Sequence, residues 1–138
     1  MANVLRLFRS KQHGLMEDVP EIRVIQDHGF EGCAHARPGK PRQVLVMDRE
    51  TLESLGLPPG VVRENITTEG LDVNGLMPGH QLKIGEVILE VSGPCAPCEL
   101  MEQIRPGLRK EIRGRRGTLC RVIAGGTICR GETIRRLA

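Results

Sequence analysis

The chain reads as a mainly β protein, a barrel or sandwich of short strands with a few short helices. Three observations lead there. Apolar residues gather in runs of four or five, several alternating with polar ones, which is the period of a strand with one buried face. Seventeen glycines punctuate 138 residues, as a fold with many turns requires. Helical periodicity is confined to two places.

Strand-like runs cover residues 4–8, 22–25, 43–47, 81–84, 87–91, 119–123 and 133–137. Gly85-Glu86 and the stretch 124–127 (Ala-Gly-Gly-Thr) are read as hairpin connections. Asp48 is placed to cap a short helix over 49–55, with Gly56 as its left-handed stop. Leu100, Ile104, Leu108 and Ile112 recur every four residues as one apolar stripe. Pro106 interrupts that stripe and is read as the first residue of a second helix. The segments 37–41 and 58–60, rich in Pro and Gly, read as loops. No composition shift divides the chain, so one domain is expected over 1–138.

Hydrophobic content of 39% and charged content of 27% are ordinary for a chain that buries its own core. No apolar run approaches the roughly 20 residues that span a bilayer, and residues 1–6 do not open a signal peptide. A cytoplasmic protein without membrane partners is expected. Its cysteines, Cys33, Cys95, Cys98, Cys120 and Cys129, are odd in number, which argues for reduced thiols over a disulfide scaffold.

The net charge of +3 is unevenly spread. From Arg105 onward ten basic residues face two acids, Glu111 and Glu132. Such an excess expects an anionic partner. Single-stranded nucleic acid is disfavoured, because two Phe and no Trp or Tyr leave few platforms for base stacking.

The most telling stretch is Gly93-Pro94-Cys95-Ala96-Pro97-Cys98, between an apolar run and helix-forming residues. Helix-terminal amides favour an anion, and a thiolate is the form that attacks electrophiles or binds soft metals. The pair by itself leaves its chemistry open. A structural zinc site wants a second close ligand pair, and Cys120 and Cys129 have eight residues between them. Disulfide exchange of the thioredoxin kind wants long helices alternating with strands, which are missing here. Elsewhere, Arg63-Glu64-Asn65 combines a planar cation with an amide suited to an oxyanion. His35 precedes a basic loop holding Arg37, Lys40 and Arg42.

In order along the chain, these pieces resemble the MOSC domain, named for the C-terminal domain of molybdenum cofactor sulfurase. The resemblance runs over Gly32-x-x-His35, Arg42-Gln43-Val44, Arg63-Glu64-Asn65-Ile66 and Glu69-Gly70-Leu71. It continues through Leu82-x-Ile84-Gly85, Val87-x-Leu89-x-Val91, the thiol motif, Gly114-Arg115-x-Gly117, Arg121-Val122 and Gly125-Gly126-x-Ile128-x-x-Gly131. It implies a closed, Greek-key-like β-barrel with short helices. It implies that Cys98 ligates molybdenum in a bound pterin cofactor or carries sulfur as a persulfide. Cys98, Arg63, Asn65, His35 and Arg42 would then hold the cofactor, whose phosphate would engage the C-terminal cations. Implied activities are reduction of N-hydroxylated compounds, with an external electron-donor protein, or sulfur transfer and cofactor carriage without catalysis, with a cysteine desulfurase as partner. Relatives commonly carry an acid where this chain has Cys33; the exchange lowers the weight of His35 and makes Cys33 a third thiol near the site. Cys95, found in a subset of relatives, is read as a resolving thiol.

Overall fold

The computed structural model describes residues 1–12, 15–34 and 36–138. Eleven strands are seen among these residues: β1 (Asn3–Gln12), β2 (Leu15–Asp18), β3 (Glu21–Ile25), β4 (Gly29–Phe30), β5 (Val44–Asp48), β6 (Ile66–Glu69), β7 (Gln81–Ile84), β8 (Val87–Pro94), β9 (Thr118–Ala124), β10 (Gly126–Cys129) and β11 (Ile134–Arg136). Helices are short: α1 (Arg49–Ser54), α2 (Glu99–Ile104), α3 (Leu108–Glu111) and a 3₁₀ turn at Val73–Gly75.

The main sheet runs in the order β11-β7-β8-β9-β5-β6-β1-β2, and β10-β3-β4 forms a small second sheet. Main-chain bonds also join the segment before β11 to the start of β1. Asn3 bridges Thr133, Val4 N donates to Glu132 O at 2.8 Å, and Gly131 N donates to Val4 O at 2.7 Å. The long sheet thus curls in barrel-like fashion round its core, while β11 and β2 remain the two ends of its strand order. β5 pairs with β9, antiparallel, on one side and with β6, in parallel, on the other.

Alternation explains the walls. Leu82 and Ile84 of β7 and Val87, Leu89 and Val91 of β8 point inward, to a core shared with Leu7, Phe30, Val46, Ile66 and Ile128. Strand β5 is buried along its whole length because it separates two cores. Its Val44 and Val46 face the barrel, while Met47 joins Leu52, Leu55, Val62, Met101, Leu108 and Ile112 in a second cluster under the helices. Complete burial of Leu108 and Ile112 contributes about 1.5–3 kcal/mol each. That contact sustains a four-residue helix too short to persist alone.

Two local expectations are corrected. The stretch 124–127 is not a hairpin: β10 pairs with β3, and β9 with β5 and β8. Gly126, at φ 153°, turns the chain from one sheet into the other, and a Cβ there would collide with Glu86. Nor is Pro106 the first residue of a helix. Gly107, at φ 87°, caps α3 in a left-handed conformation, so Pro106 lies in the turn between α2 and α3. The Asp48 cap is as expected, its Oδ2 accepting from Thr51 N at 3.0 Å, and Gly56 stops α1 at φ 69°. No helix among the described residues is long and apolar enough to cross a membrane.

Candidate functional site

Four segments converge at one end of the barrel, and backbone pairing explains why. The β8–β9 ladder runs as far as Gly93↔Leu119 and Pro94↔Thr118, so the thiol loop leaves β8 beside the segment that leads into β9. Cys95 N donates to Gly117 O at 3.0 Å and ties the two together. Gly117 sits at φ 94°, with its missing Cβ only 2.5 Å from Val46 O, so no larger residue lets this segment lie on β5. On the other side of β5, Asn65 N donates to Leu45 O and Leu45 N to Asn65 Oδ1, both at 2.9 Å. Arg63 is thereby held beside the same strand. The loop at 36–43 completes the group, anchored by buried Gln43, which bonds Asp27 Oδ1, Arg37 O and Val122 N.

Between these segments lies a cavity of about 530 Å³, within the size range of small-molecule sites. Its walls carry both thiols of the Cys-x-x-Cys motif and an apolar strip of Val44, Leu45, Leu100 and Leu119. They also carry five cations: Arg37, Lys40, Arg42, Arg63 and Arg116. Among the described lining residues there is no carboxylate. An apolar, concave surface with cations of one sign focuses their field and selects anions.

Cys98 is exposed at this cavity. It is the N-cap of α2, its backbone extended, and its side chain makes no capping bond. With six residues, α2 supplies a small dipole; the five cations are the larger field acting on an anion here. Cys95 lines the same cavity but is 6% exposed. Two other thiols are unsuited to chemistry: burial pushes Cys120 up to about 12, and burial together with Glu132 and Glu21 raises Cys129.

Arg63 has φ 64°, a left-handed conformation that costs a non-glycine residue about 1–2 kcal/mol. Its amide closes a turn onto Gly60 O at 3.0 Å, and among the described residues its guanidinium has no bond or ion pair. Arg63→Gly is therefore expected to act in two directions. Relief of strain exceeds the entropy of a new glycine, about 0.4–1 kcal/mol, so unfolding free energy rises by about 0.5–1 kcal/mol. Affinity for sulfate or phosphate, measured by calorimetry, falls at the same time. A loss of stability in urea denaturation would show instead that the guanidinium carries a structural contact.

Asn65 borders the cavity, but its amide is committed inward. Besides Leu45, it donates through Nδ2 to Phe8 O at 3.3 Å and Cys33 Sγ at 3.6 Å. Cys33 also accepts from Ser10 N at 3.4 Å, so this thiol is a buried acceptor behind Asn65 and outside the cavity wall. Arg42 and Lys40 stand exposed at the rim. His35 lies outside the described residues.

The expectation for the C-terminal cations needs correction. Of those ten, Arg116 alone reaches the cavity. Arg105, Arg109 and Arg121 are spent in ion pairs with Glu111, Glu99 and Asp27. Arg116 was not singled out by sequence, although Gly114 and Gly117, at φ 80° and 94°, mark the tight turn that presents it. It is 5% exposed, and among the described residues its Nε and Nη1 have no hydrogen-bond partner. Nearby Glu64 is fully buried, accepting from Gly60 N at 2.8 Å and Thr67 Oγ1 at 2.7 Å, with Oε1 unpartnered among the described residues. Burial raises Glu64 above the usual carboxylate range, while the Arg116 charge opposes that shift.

The family model described as "MOSC domain" matches residues 35–135. A curated protein named "Reductase" from Gibberella moniliformis (strain M3125 / FGSC 7600) is 38% identical over 80 residues, 54% of this chain. The chain covers 14% of that protein's length. Among solved structures, the YuaD protein from Bacillus subtilis is similar with a TM-score of 0.81 at 18% identity, covering 96% of this chain and 93% of that one. YiiM from Geobacillus stearothermophilus gives 0.78 at 21% identity, with 100% and 76% covered. YiiM from Escherichia coli gives 0.72 at 20%, with 99% and 68% covered. These structures share the fold.

Proposed function

The chain belongs to the MOSC domain family, and from that premise we propose that its cavity binds the molybdenum cofactor or carries sulfur, with Cys98 as metal ligand or persulfide carrier. One observation carries this reading: an accessible thiol shares a cavity with five cations and no carboxylate among its described walls. A phosphate-bearing ligand with a thiophilic centre has the complementary chemistry, anionic at one end and soft at the other. The residues therefore fit the group. Arg63, Arg116, Arg42 and Lys40 would hold its anionic part, and Cys98 would supply one thiolate. Among the described residues no cluster of three or more His, Cys, Asp or Glu gathers to bind a bare ion, which suits a metal arriving with ligands of its own. Bound there, the cofactor supplies two-electron redox chemistry.

The protein's own part is to bind and orient. Arg63 and Arg116 fix the anionic end by directed N–H bonds, the strip of Leu45, Leu100 and Leu119 excludes water from one wall, and Cys98 meets the ligand's reactive end. Asn65 acts as a strut that places Arg63. Reduction of N-hydroxylated compounds with an external electron-donor protein belongs to this proposal, and the name of the Gibberella relative accords with it. The persulfide branch would draw sulfur from a cysteine desulfurase, in a cytoplasm that keeps both thiols reduced.

Molybdenum and pterin content, measured on protein expressed in a cofactor-competent host, tests the first branch. Near-stoichiometric amounts are expected. The mass of the Cys98 peptide tests the second, with one sulfur gained and lost again on reduction. Protein with neither cofactor nor persulfide would remove both branches.

A further inference from the structure

A buried arginine with idle donors is a strong anchor for an anion, and Arg116 is one. It is 5% exposed, it borders the cavity, and its Nε and Nη1 lack partners among the described residues. Unpaired buried donors of a charged group are costly unless a partner arrives. The cavity that Arg116 borders also contains an exposed thiol. An oxyanion and a nucleophilic sulfur held together suit a reaction in which the oxyanion leaves.

We propose that the cavity is a sulfurtransferase site for a sulfane-sulfur donor of the thiosulfate class, with Arg116 and Arg63 receiving the oxyanion that departs. This rests on the persulfide branch of the function proposed above and names its small-molecule sulfur source. The Cys98 thiolate attacks the outer sulfur of thiosulfate. A bond forms between Cys98 Sγ and that sulfur, the sulfur–sulfur bond of the donor breaks, and its electron pair leaves with sulfite. One negative charge and two enter; a persulfide anion and the sulfite dianion leave, so charge and electrons balance without an added oxidant or reductant. The thiolate and its substrate repel each other in water. Five cations with no carboxylate in the described walls offset that repulsion, most strongly at the leaving oxyanion where charge develops.

The test loads reduced protein in two ways, with thiosulfate or with a cysteine desulfurase and cysteine. The mass of the Cys98 peptide and the release of sulfite are followed. With thiosulfate, one sulfur gained and one sulfite released per chain are expected, and neither in Cys98→Ser. Arg116→Lys keeps the buried charge but loses the planar fork, so thiosulfate loading slows about tenfold. Arg42→Gln, at the exposed rim, slows it about threefold, with a steep dependence on salt. Desulfurase loading, whose sulfur arrives without an oxyanion, slows less than thiosulfate loading in both variants. Thiosulfate loading at the wild-type rate in both Arg116→Lys and Arg42→Gln would overturn the proposal. So would loading by the desulfurase alone, which leaves the persulfide branch standing. Loading by neither route would remove that branch as well.

Discussion

Cys98→Ser is expected to fold as the native chain does and to lose bound molybdenum or persulfide by about 100-fold or more. The magnitude follows from ligand chemistry. Changing a group that merely supports a metal ligand costs about 10–100-fold, and removal of the proposed ligand sulfur itself costs at least as much. A serine hydroxyl is neither ionised at neutral pH nor soft enough for a thiophilic metal, and it cannot hold sulfane sulfur. The fold is spared because the Cys98 side chain is exposed and makes no capping bond. Surface changes of that kind stay within about 0.5 kcal/mol. Metal analysis and the mass of the 98-containing peptide read the loss, and a thermal melt reads the fold. Equal molybdenum in both proteins would remove Cys98 from the ligand role. Cys95→Ser is the control that separates the two thiols: at 6% exposure it places a hydroxyl where a thiol packs, so stability falls more than ligand loading does.

The thiol and Arg63 were legible because they announce themselves locally. Two cysteines at the junction of an apolar run and a helix, and Arg-x-Asn before a strand, are patterns within six residues. Arg116 was hidden for the opposite reason. Arginine is among the residues least often buried, and only the long-range β8–β9 pairing decides which of two adjacent arginines turns inward. Proximity in the chain also misled for the C-terminal cations. Their density along the sequence promised one basic face, but the fold spends three of the ten in separate ion pairs and brings one to the cavity.

The same division holds for the fold. Strands with clean alternation, such as β7 and β9, could be placed within a residue or two of their ends. Strand β6, Ile-Thr-Thr-Glu, carries no apolar alternation because its buried positions include two threonines, of which Thr67 donates to Glu64 Oε2. β10 begins at Gly126, and Gly125-Gly126 reads as a hairpin turn until the partner β3 is known, over a hundred residues earlier. Composition and period thus expose what each segment does alone, and tertiary pairing decides the corners and the buried polar groups.

Glu64 is where those buried polar groups carry the largest stability effect. Glu64→Ala is expected to cost about 2–4 kcal/mol, a large part of the 5–15 kcal/mol that holds a domain of this size. It strips acceptors from Gly60 N and Thr67 Oγ1, and it removes a buried carboxylate on which the Arg116 charge acts. Glu64→Gln keeps one acceptor oxygen and is milder, and the difference between Gln and the native acid depends on pH. Burial raises Glu64 above its ordinary value of 4.5, so the folded chain binds this proton more tightly than the unfolded one. Its contribution is full below 4.5 and is lost as pH rises through the folded value. Over that window the native protein should lose stability relative to Glu64→Gln by up to about 1.4 kcal/mol per pH unit. Exposed Glu17, Asp27 and Glu102, lowered by hydrogen bonds, act with the opposite sign in both proteins and cancel in the difference. Urea denaturation at several pH values measures it. A difference that stays flat above 4.5 would show that the hydrogen bonds and the Arg116 charge fully offset the burial of this carboxylate.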